Sequence, residues 1–288
     1  MLTEDAVFIT PPKIRQYGLS WPNYIVIILL IFNLFIMKKV ILSAAALMCG
    51  AIMVAQSNTS DVDQNGNLNH ATVNQIGMMN RSDVDTDGNR NRVNVDQGSM
   101  DNRAWVKQVG NDNRATIGQN DDYVSSVGDN LAKQLQVGND NRATIDQDSQ
   151  WADGTVTSQA FQEQRGNNNV ASIQQDNISH YSSQKQVGNN NRATDYQDGA
   201  GQRSLVLQRG NRNRSSVVQR AGWGSFSDVF QKGNDNLSDV KQNGAQHISR
   251  VASIGNSNRS AVLQNGNLQK SMVNQVGNSN VSNVTQSN

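Results

Sequence analysis

The sequence predicts an all-β chain, a β-solenoid (β-helix) of about ten 22-residue coils with two strands per coil and two facing parallel sheets. Three observations predict it. The string QVGNDNRATIDQ at 136–147 returns almost unchanged at 108–119 and in close variant at 186–197. Within each unit the small or apolar residues are spaced by two, which is strand periodicity. Finally, alternate units differ in how strictly they keep the pattern, so the structural period is two units rather than one.

The pattern is Q-x-G-x-x-N-x-[A/S]-x-[V/I]-x-Q, and each closing Gln opens the next unit. Nearly all units are 11 residues apart. The exceptions are the intervals 119→136 and 147→164, both 17 residues, and 219→231, which is 12. In the unit at 136, Asn141, Ala143, Ile145 and Gln147 share one face and Arg142, Thr144 and Asp146 the other. Gly138-Asn139-Asp140 supplies the turn, because glycine accepts a positive φ and Asn and Asp tolerate one. Each unit is therefore a turn plus one short strand. Counting back from Gln64 places the first strand near Asn58, which gives twenty strands in all, ten in each sheet. At the usual strand spacing the stack is roughly 50 Å long.

One series of alternate units is strict. Its turns carry Gly66, Gly88, Gly110, Gly138, Gly166, Gly188, Gly210, Gly233, Gly255 and Gly277. Its strands start at Asn69, Asn91, Asn113, Asn141, Asn169, Asn191, Asn213, Asn236, Asn258 and Asn280. They close at Gln75, Gln97, Gln119, Gln147, Gln175, Gln197, Gln219, Gln242, Gln264 and Gln286. The other series is loose, with Ser99, Ser149, Asn177 or Ala221 in its turns and His180, Gln202, His247 or Gln269 at its strand starts. All three insertions lie in turns of the loose series. One sheet is thus strict and the other tolerant.

Inward Asn and Gln are costly to bury alone. Stacked on copies of themselves they satisfy each other as amide ladders, which explains why these amides recur rather than other polar groups. Inward Ala/Ser and Val/Ile add a thin apolar core. Asp195 stands where Val or Ile is expected, and the repeat offers no reason for it. Outward, Arg81, Arg92, Arg103, Arg114, Arg142, Arg192, Arg203, Arg214 and Arg259 recur beside the strand starts. Like charges one strand apart repel, and Asp112, Asp140, Asp146 and Asp235 are placed to offset them. This arginine row reads as a solvated face, with surface adhesion or charge gatekeeping as the functional alternative. Trp105, Trp151 and Trp223 are candidates for partner contact or for loop and edge packing.

Composition bounds the function. Hydrophobic residues are 36% and aromatics 5% of the 288 residues, below the roughly 45–50% apolar content of ordinary domains. The net charge is +1, and no basic excess points to nucleic acid. Cys49 is the only cysteine and precedes the repeats, which therefore have no disulfide or thiol metal site. His70, His180 and His247 fall in different repeats, and no nucleophile–base set or carboxylate pair stands out. The turns lack the G-G-x-G-x-D signature of calcium β-rolls. No enzyme activity, cofactor, metal or small-molecule substrate is expected.

Residues 37–55, Met37-Lys38-Lys39 followed by an apolar run to Ala55, have the layout of a signal peptide. Residues 1–36 precede this complete signal. They read as the product of a mis-assigned start codon or as an extra N-terminal apolar segment. Residues 56–288 form the repeat solenoid.

Repeated in tandem behind a signal peptide, Q-x-G-x-x-N-x-A-x-x-x-Q resembles the curlin repeat of bacterial curli subunits over about residues 56–288. The resemblance implies a secreted β-solenoid that polymerises with itself into extracellular functional amyloid on the cell surface, part of the biofilm matrix. It also implies a nucleator subunit and an outer-membrane secretion pore as partners. Two departures stand out: about twice the usual number of repeats, and no separate targeting segment after the signal peptide. The array itself points the same way, since neither end carries a divergent capping unit and an uncapped edge strand is a template for another chain. The alternatives are a monomeric repeat adhesin or an ice-binding-type solenoid, the latter resting on Thr72, Thr116, Thr144 and Thr194 in one outward slot.

Overall fold

The computed structural model describes residues 57–119, 129–148 and 157–288. The expectations for 1–36, for the signal peptide at 37–55, for Cys49 and for Trp151 fall outside these residues.

Twenty strands follow one another in the described residues: β1 (Thr59–Asn65), β2 (His70–Gln75), β3 (Arg81–Asp87), β4 (Arg92–Gln97), β5 (Arg103–Val109), β6 (Arg114–Gln119), β7 (Leu131–Val137), β8 (Arg142–Asp148), β9 (Gln159–Arg165), β10 (Val170–Ile178), β11 (Tyr181–Val187), β12 (Arg192–Ala200), β13 (Arg203–Arg209), β14 (Arg214–Arg220), β15 (Phe226–Lys232), β16 (Leu237–Ala245), β17 (Ile248–Ile254), β18 (Arg259–Asn267), β19 (Lys270–Val276) and β20 (Val281–Ser287). Odd-numbered strands form one ten-stranded sheet and even-numbered strands the other, each in sequence order. All neighbours are parallel and in register. This is the two-sheet solenoid that the repeat predicts, with the strict units in the even sheet. No helix among the described residues is long and apolar enough to cross a membrane.

The alternation sets what is buried. In β8 the pattern puts Ala143, Ile145 and Gln147 inside and Arg142 in solvent. The insertions leave register intact. Gln119 pairs with Gln147 across a 28-residue interval, as Gln97 pairs with Gln119 across 22. The ladder, not the length of chain between rungs, fixes the pairing.

The apolar core is divided. One cluster runs from Val84 to Ile173 and a second from Ala193 to Val273. The break lies at the sixth coil, where β11 and β12 turn Ser182, Gln184, Gln186, Asp195 and Gln197 inward with only Ala193 among them.

The turns need glycine for two reasons. Gly138 has φ +119°, and a methyl group there would collide with the carbonyl oxygen of Gly166 in the next coil. Stacked turns approach too closely for a side chain. Gly201, in the tolerant series, has φ +62° but nothing within 4 Å of where a methyl would sit. A second positive φ follows two residues after each strict glycine. It falls on Asp140 as expected but also on Leu68, Arg90 and Arg212, residue types that carry no such preference.

Gly138→Ala is expected to lower the urea denaturation midpoint well beyond Gly201→Ala. The latter meets only a left-handed backbone penalty of about 1–2 kcal/mol. Chemical denaturation of both variants followed by circular dichroism checks this, and equal losses contradict the close-approach argument.

Candidate functional site

Each closing glutamine of the even sheet lies on the interior side of its strand, directly above its counterpart. Gln75, Gln97, Gln119, Gln147, Gln175, Gln197, Gln219, Gln242 and Gln264 each donate from Nε2 to Oε1 of the next, ending on Gln286, at 2.8–2.9 Å. The second amide hydrogen crosses the core. Gln97 Nε2 donates to Arg81 O at 3.2 Å and Gln197 Nε2 to Tyr181 O at 3.2 Å. One side chain thus joins successive coils and ties the even sheet to the odd one.

The strand-start asparagines stack on one another and also bond the backbone of the neighbouring coils. Oδ1 of Asn113 accepts the backbone N–H of Asn141 at 3.1 Å, and Nδ2 of Asn113 donates to the carbonyl of Gly138 at 2.7 Å. The same clamp joins Asn69 to Gly88, Asn91 to Gly110, Asn141 to Gly166, Asn169 to Gly188 and Asn191 to Gly210. It continues from Asn213 to Gly233, Asn236 to Gly255 and Asn258 to Gly277. Amide-to-amide bonds, such as Asn141 Nδ2 to Asn113 Oδ1 at 3.1 Å, run alongside it. The asparagine therefore fixes the turn of the coil ahead, and the turn glycine is its acceptor.

Three further ladders complete the interior and the turns. The odd sheet has its own glutamine row, Gln108 to Gln136, Gln164, Gln186, Gln208 and Gln231, at 2.7–2.9 Å. Thr86 and Ser253 interrupt that row in sequence, which hides it; Ser253 Oγ still donates to Gln275 Oε1 at 3.1 Å. Gln134, Gln162 and Gln184 form a short row in register with Val106 and Val206. The residue after each strict glycine is Asn, and its Oδ1 accepts a backbone N–H from the coil before, as Asn111 does from Asn89 at 3.0 Å. That last signal was present at all ten turns from Asn67 to Asn278.

Where the tolerant sheet departs from Asn, other side chains take its place. His180 Nε2 lies 2.8 Å from Asp176 O, and its Nδ1 accepts the backbone N–H of Gln202 at 3.4 Å. Burial pulls the His180 imidazole below its ordinary pKa, so it stands as a neutral amide substitute. His247 sits three strand starts further along the same sheet, and His70 faces outward on β2. The three histidines are not brought together.

Asp195 is fully inside, between Ile173 and Val217 in its sheet, and accepts a hydrogen bond from the Ser182 hydroxyl of the facing strand. Burial pushes its carboxyl up to about 7. The turn acids are placed otherwise than the sequence suggests. Asp112 and Asp235 pair with the turn arginines Arg90 and Arg212 at 2.6 and 2.7 Å, not with the strand-start arginines. These guanidinium contacts hold both carboxyls below their ordinary range. Trp105 is half-buried on the outer face of β5, and Trp223 is 58% exposed.

The stack of self-matching rungs is the site, and the comparisons fall on it. Residues 88–120 match the family model described as the curlin associated repeat. The matched curlin repeat runs from a strict turn glycine through β4, β5 and β6, so it spans one coil and a half. Its Gly88, Asn91, Gln97, Gly110, Asn113 and Gln119 are rungs of the ladders above. The rest of the described chain repeats those rungs coil by coil. No curated protein matches the chain. A curlin repeat in a solenoid with no evident catalytic grouping among its described residues suggests a structural protein.

Gln147→Ala leaves Gln119 Nε2 without its acceptor and Gln175 Oε1 without its donor, at about 1–3 kcal/mol for each stranded buried group. Lys185→Ala removes one partly exposed ion pair with Glu163, of about 0–1 kcal/mol. Urea titration is expected to separate the two clearly, and equal midpoints contradict the ladder.

Asp195 gives a pH signature. Its carboxyl holds its proton to about pH 7 when folded, against an ordinary value of 3.8. Folding takes up that proton in between, so its contribution is full below the lower value and falls as pH rises to the upper one. Asp195→Asn is expected to raise the urea midpoint at pH 8, with the gain shrinking towards pH 4. A pH-independent difference between the variant and the parent contradicts this.

Proposed function

We propose that the chain is a structural subunit of an extracellular curli-like amyloid fibre, growing by end-to-end stacking of solenoids. The observation that carries this reading is the state of the two ends. Among the described residues no strand pairs with the outer edges of β1 and β2 or of β19 and β20. Val62, an interior position of the first coil, is 44% exposed, whereas its equivalent Val84 one coil on is 1% exposed. Gln286 Nε2 donates only to Lys270 O, and Gln75 Oε1 has no donor among the described residues. Asn280 Nδ2, with no glycine turn ahead of it, turns back to Val276 O at 3.2 Å.

Each end therefore presents what the other lacks: the last coil offers the Gln286 Nε2 donor and the Asn280 Oδ1 acceptor, and the first coil the Gln75 Oε1 acceptor and the Asn69 backbone N–H. A second copy placed head to tail continues every ladder in register, and its own far end remains open, so addition yields a fibre rather than a closed oligomer. The rungs that would join belong to the Asn, Gln and Gly columns that end at Asn280, Gln286 and Gly277. The curlin repeat at 88–120 supports this reading. Export by the signal at 37–55, a nucleator subunit and a secretion pore belong to the same proposal by resemblance.

The purified chain is expected to form thioflavin-binding fibrils with cross-β reflections at about 4.8 and about 10 Å. Val62→Lys puts a charge on the interior side of the open first coil, where a stacked copy would bury it. It is expected to fold normally yet slow elongation about tenfold or more, since an unpaired buried charge is strongly disfavoured. A chain that stays monomeric at micromolar concentration for days overturns the fibre reading in favour of a monomeric adhesin.

A further inference from the structure

The outer faces of the two sheets are chemically unlike. The even face carries its arginine row and a column of Thr, Ser and Asn beside it. On the odd face, the middle coils present Leu131, Leu135, Phe161, Tyr181, Leu205 and Leu207, all half-buried side chains with no layer over them among the described residues. Trp105 stands between two shallow grooves, one lined by Arg81 and Leu131, the other by Leu135 and Phe161. Aromatic and aliphatic side chains left uncovered among charged ones have the composition of an interface.

The charges on the same face are ordered along the stack. Asp61, Asp63, Asp83 and Asp85 occupy the first two coils, and Arg250 and Lys270 the last two. Neither Asp83 nor Arg250 closes a salt bridge within the described residues, although Arg250 lies beside Asp228 in register.

We propose that the odd sheet is a lateral docking surface for a second copy of this chain, packed face to face with its stacking axis reversed. The symmetry follows from the residues. A two-fold axis along the strand direction sets the first coil against the tenth, the second against the ninth, and so on to the fifth against the sixth. Asp83 then meets Arg250 of the other copy, and Trp105 meets Asp228. Lys107 meets Phe230 and Leu135 meets Leu207. Glu163 meets Lys185 at the axis, where the two residues already pair within one chain at 2.7 Å. No outward position on the ten strands faces a residue of like charge.

The other face-to-face arrangement, with its axis along the stack, reverses each strand on its copy. Asp61 would then oppose Asp63, Asp83 oppose Asp85 and Arg203 oppose Arg209, and such like-charge contacts cost several kcal/mol. The reversed arrangement is therefore selected by charge. Ten strands of about seven residues at the standard spacings cover about 1,000 Å² per copy, the size of a stable specific interface. The surface stands apart from the stack ends, so the inference does not rest on end-to-end growth.

The test uses the full chain carrying Cys49→Ser with Asp83→Cys and Arg250→Cys, oxidised in solution. The two positions lie on β3 and β17, seven strands apart in one sheet. That is about 34 Å within a chain and about 14 Å across a head-to-tail joint, out of disulfide reach in both cases. Disulfide-linked peptides joining 83 of one copy to 250 of another are expected, well above the yield from Asn94→Cys with Ala261→Cys at the equivalent places on the even face. Predominant 83–83 and 250–250 links, or a yield no higher than that of the even-face pair, overturn the proposal. A charge exchange gives a second readout in the parent chain. Asp83→Arg is expected to reduce lateral dimer by about tenfold in sedimentation, and adding Arg250→Asp to restore it. A double variant as weak as the single one also overturns it.

Discussion

A buried primary amide has two donors and an acceptor to satisfy, and in this chain the Gln and Asn columns share them between copies of themselves and the backbone of neighbouring coils. Gln119 donates to Gln147 below a strand and to Arg103 O across the core. That arrangement exists only if successive coils are parallel and aligned residue for residue. A slip by one position would carry the outward Arg and Thr columns inside and leave the amides without partners. The remaining features follow from holding this alignment. Turns must stack at strand spacing, so their backbones come too close for a Cβ, and the asparagine clamp ties each turn to the strand start before it. The aliphatic core is thin because register is held by hydrogen bonds rather than by shape.

The two sheets have diverged within that constraint. The even sheet keeps its rungs and an outer face led by its arginine row and its Thr, Ser and Asn column. The odd sheet tolerates His180, Gln202 or Ser225 at strand starts, Thr86 and Ser253 among its glutamines, and an outer face rich in aromatic and aliphatic residues. The substitutions work because the interior position asks for an acceptor at a given height rather than for one residue type; His180 Nδ1 supplies it where Asn Oδ1 does elsewhere. The sixth coil is the limit of this tolerance. With Gln184 and Asp195 inside, the apolar core parts into two clusters.

Most of the fold was legible because it is periodic. The number of strands, their alternation between sheets and the inward columns all follow from counting by eleven and by two. Less could be read of how the amides bond. Asn and Gln in the same repeat look equivalent and both stack on their copies, but the shorter Asn adds bonds to the backbone of the adjacent turn and the longer Gln a bond across the core. The left-handed backbone at Leu68, Arg90 and Arg212 was invisible, since nothing in those side chains favours it and the stacking of turns imposes it. The pairing of Asp112 with Arg90 was likewise missed, because both lie in turns 22 residues apart while the strand-start arginines are nearer in sequence. Asp195 could be flagged as out of place, but its Ser182 partner belongs to the facing strand and no repeat pattern links them.

The long intervals 119→136 and 147→164 change the distance along the chain between rungs but not the rungs themselves: Gln119 and Gln147 meet at 2.9 Å as closely as Gln97 and Gln119 do. Turn length and rung identity are therefore separate variables. A variant chain with longer or different sequence between these rungs keeps the same ends and the same interior columns. In an assembly of the kind proposed, two such chains would remain miscible along one stack, so sequence drift between the rungs would not divide it into incompatible populations.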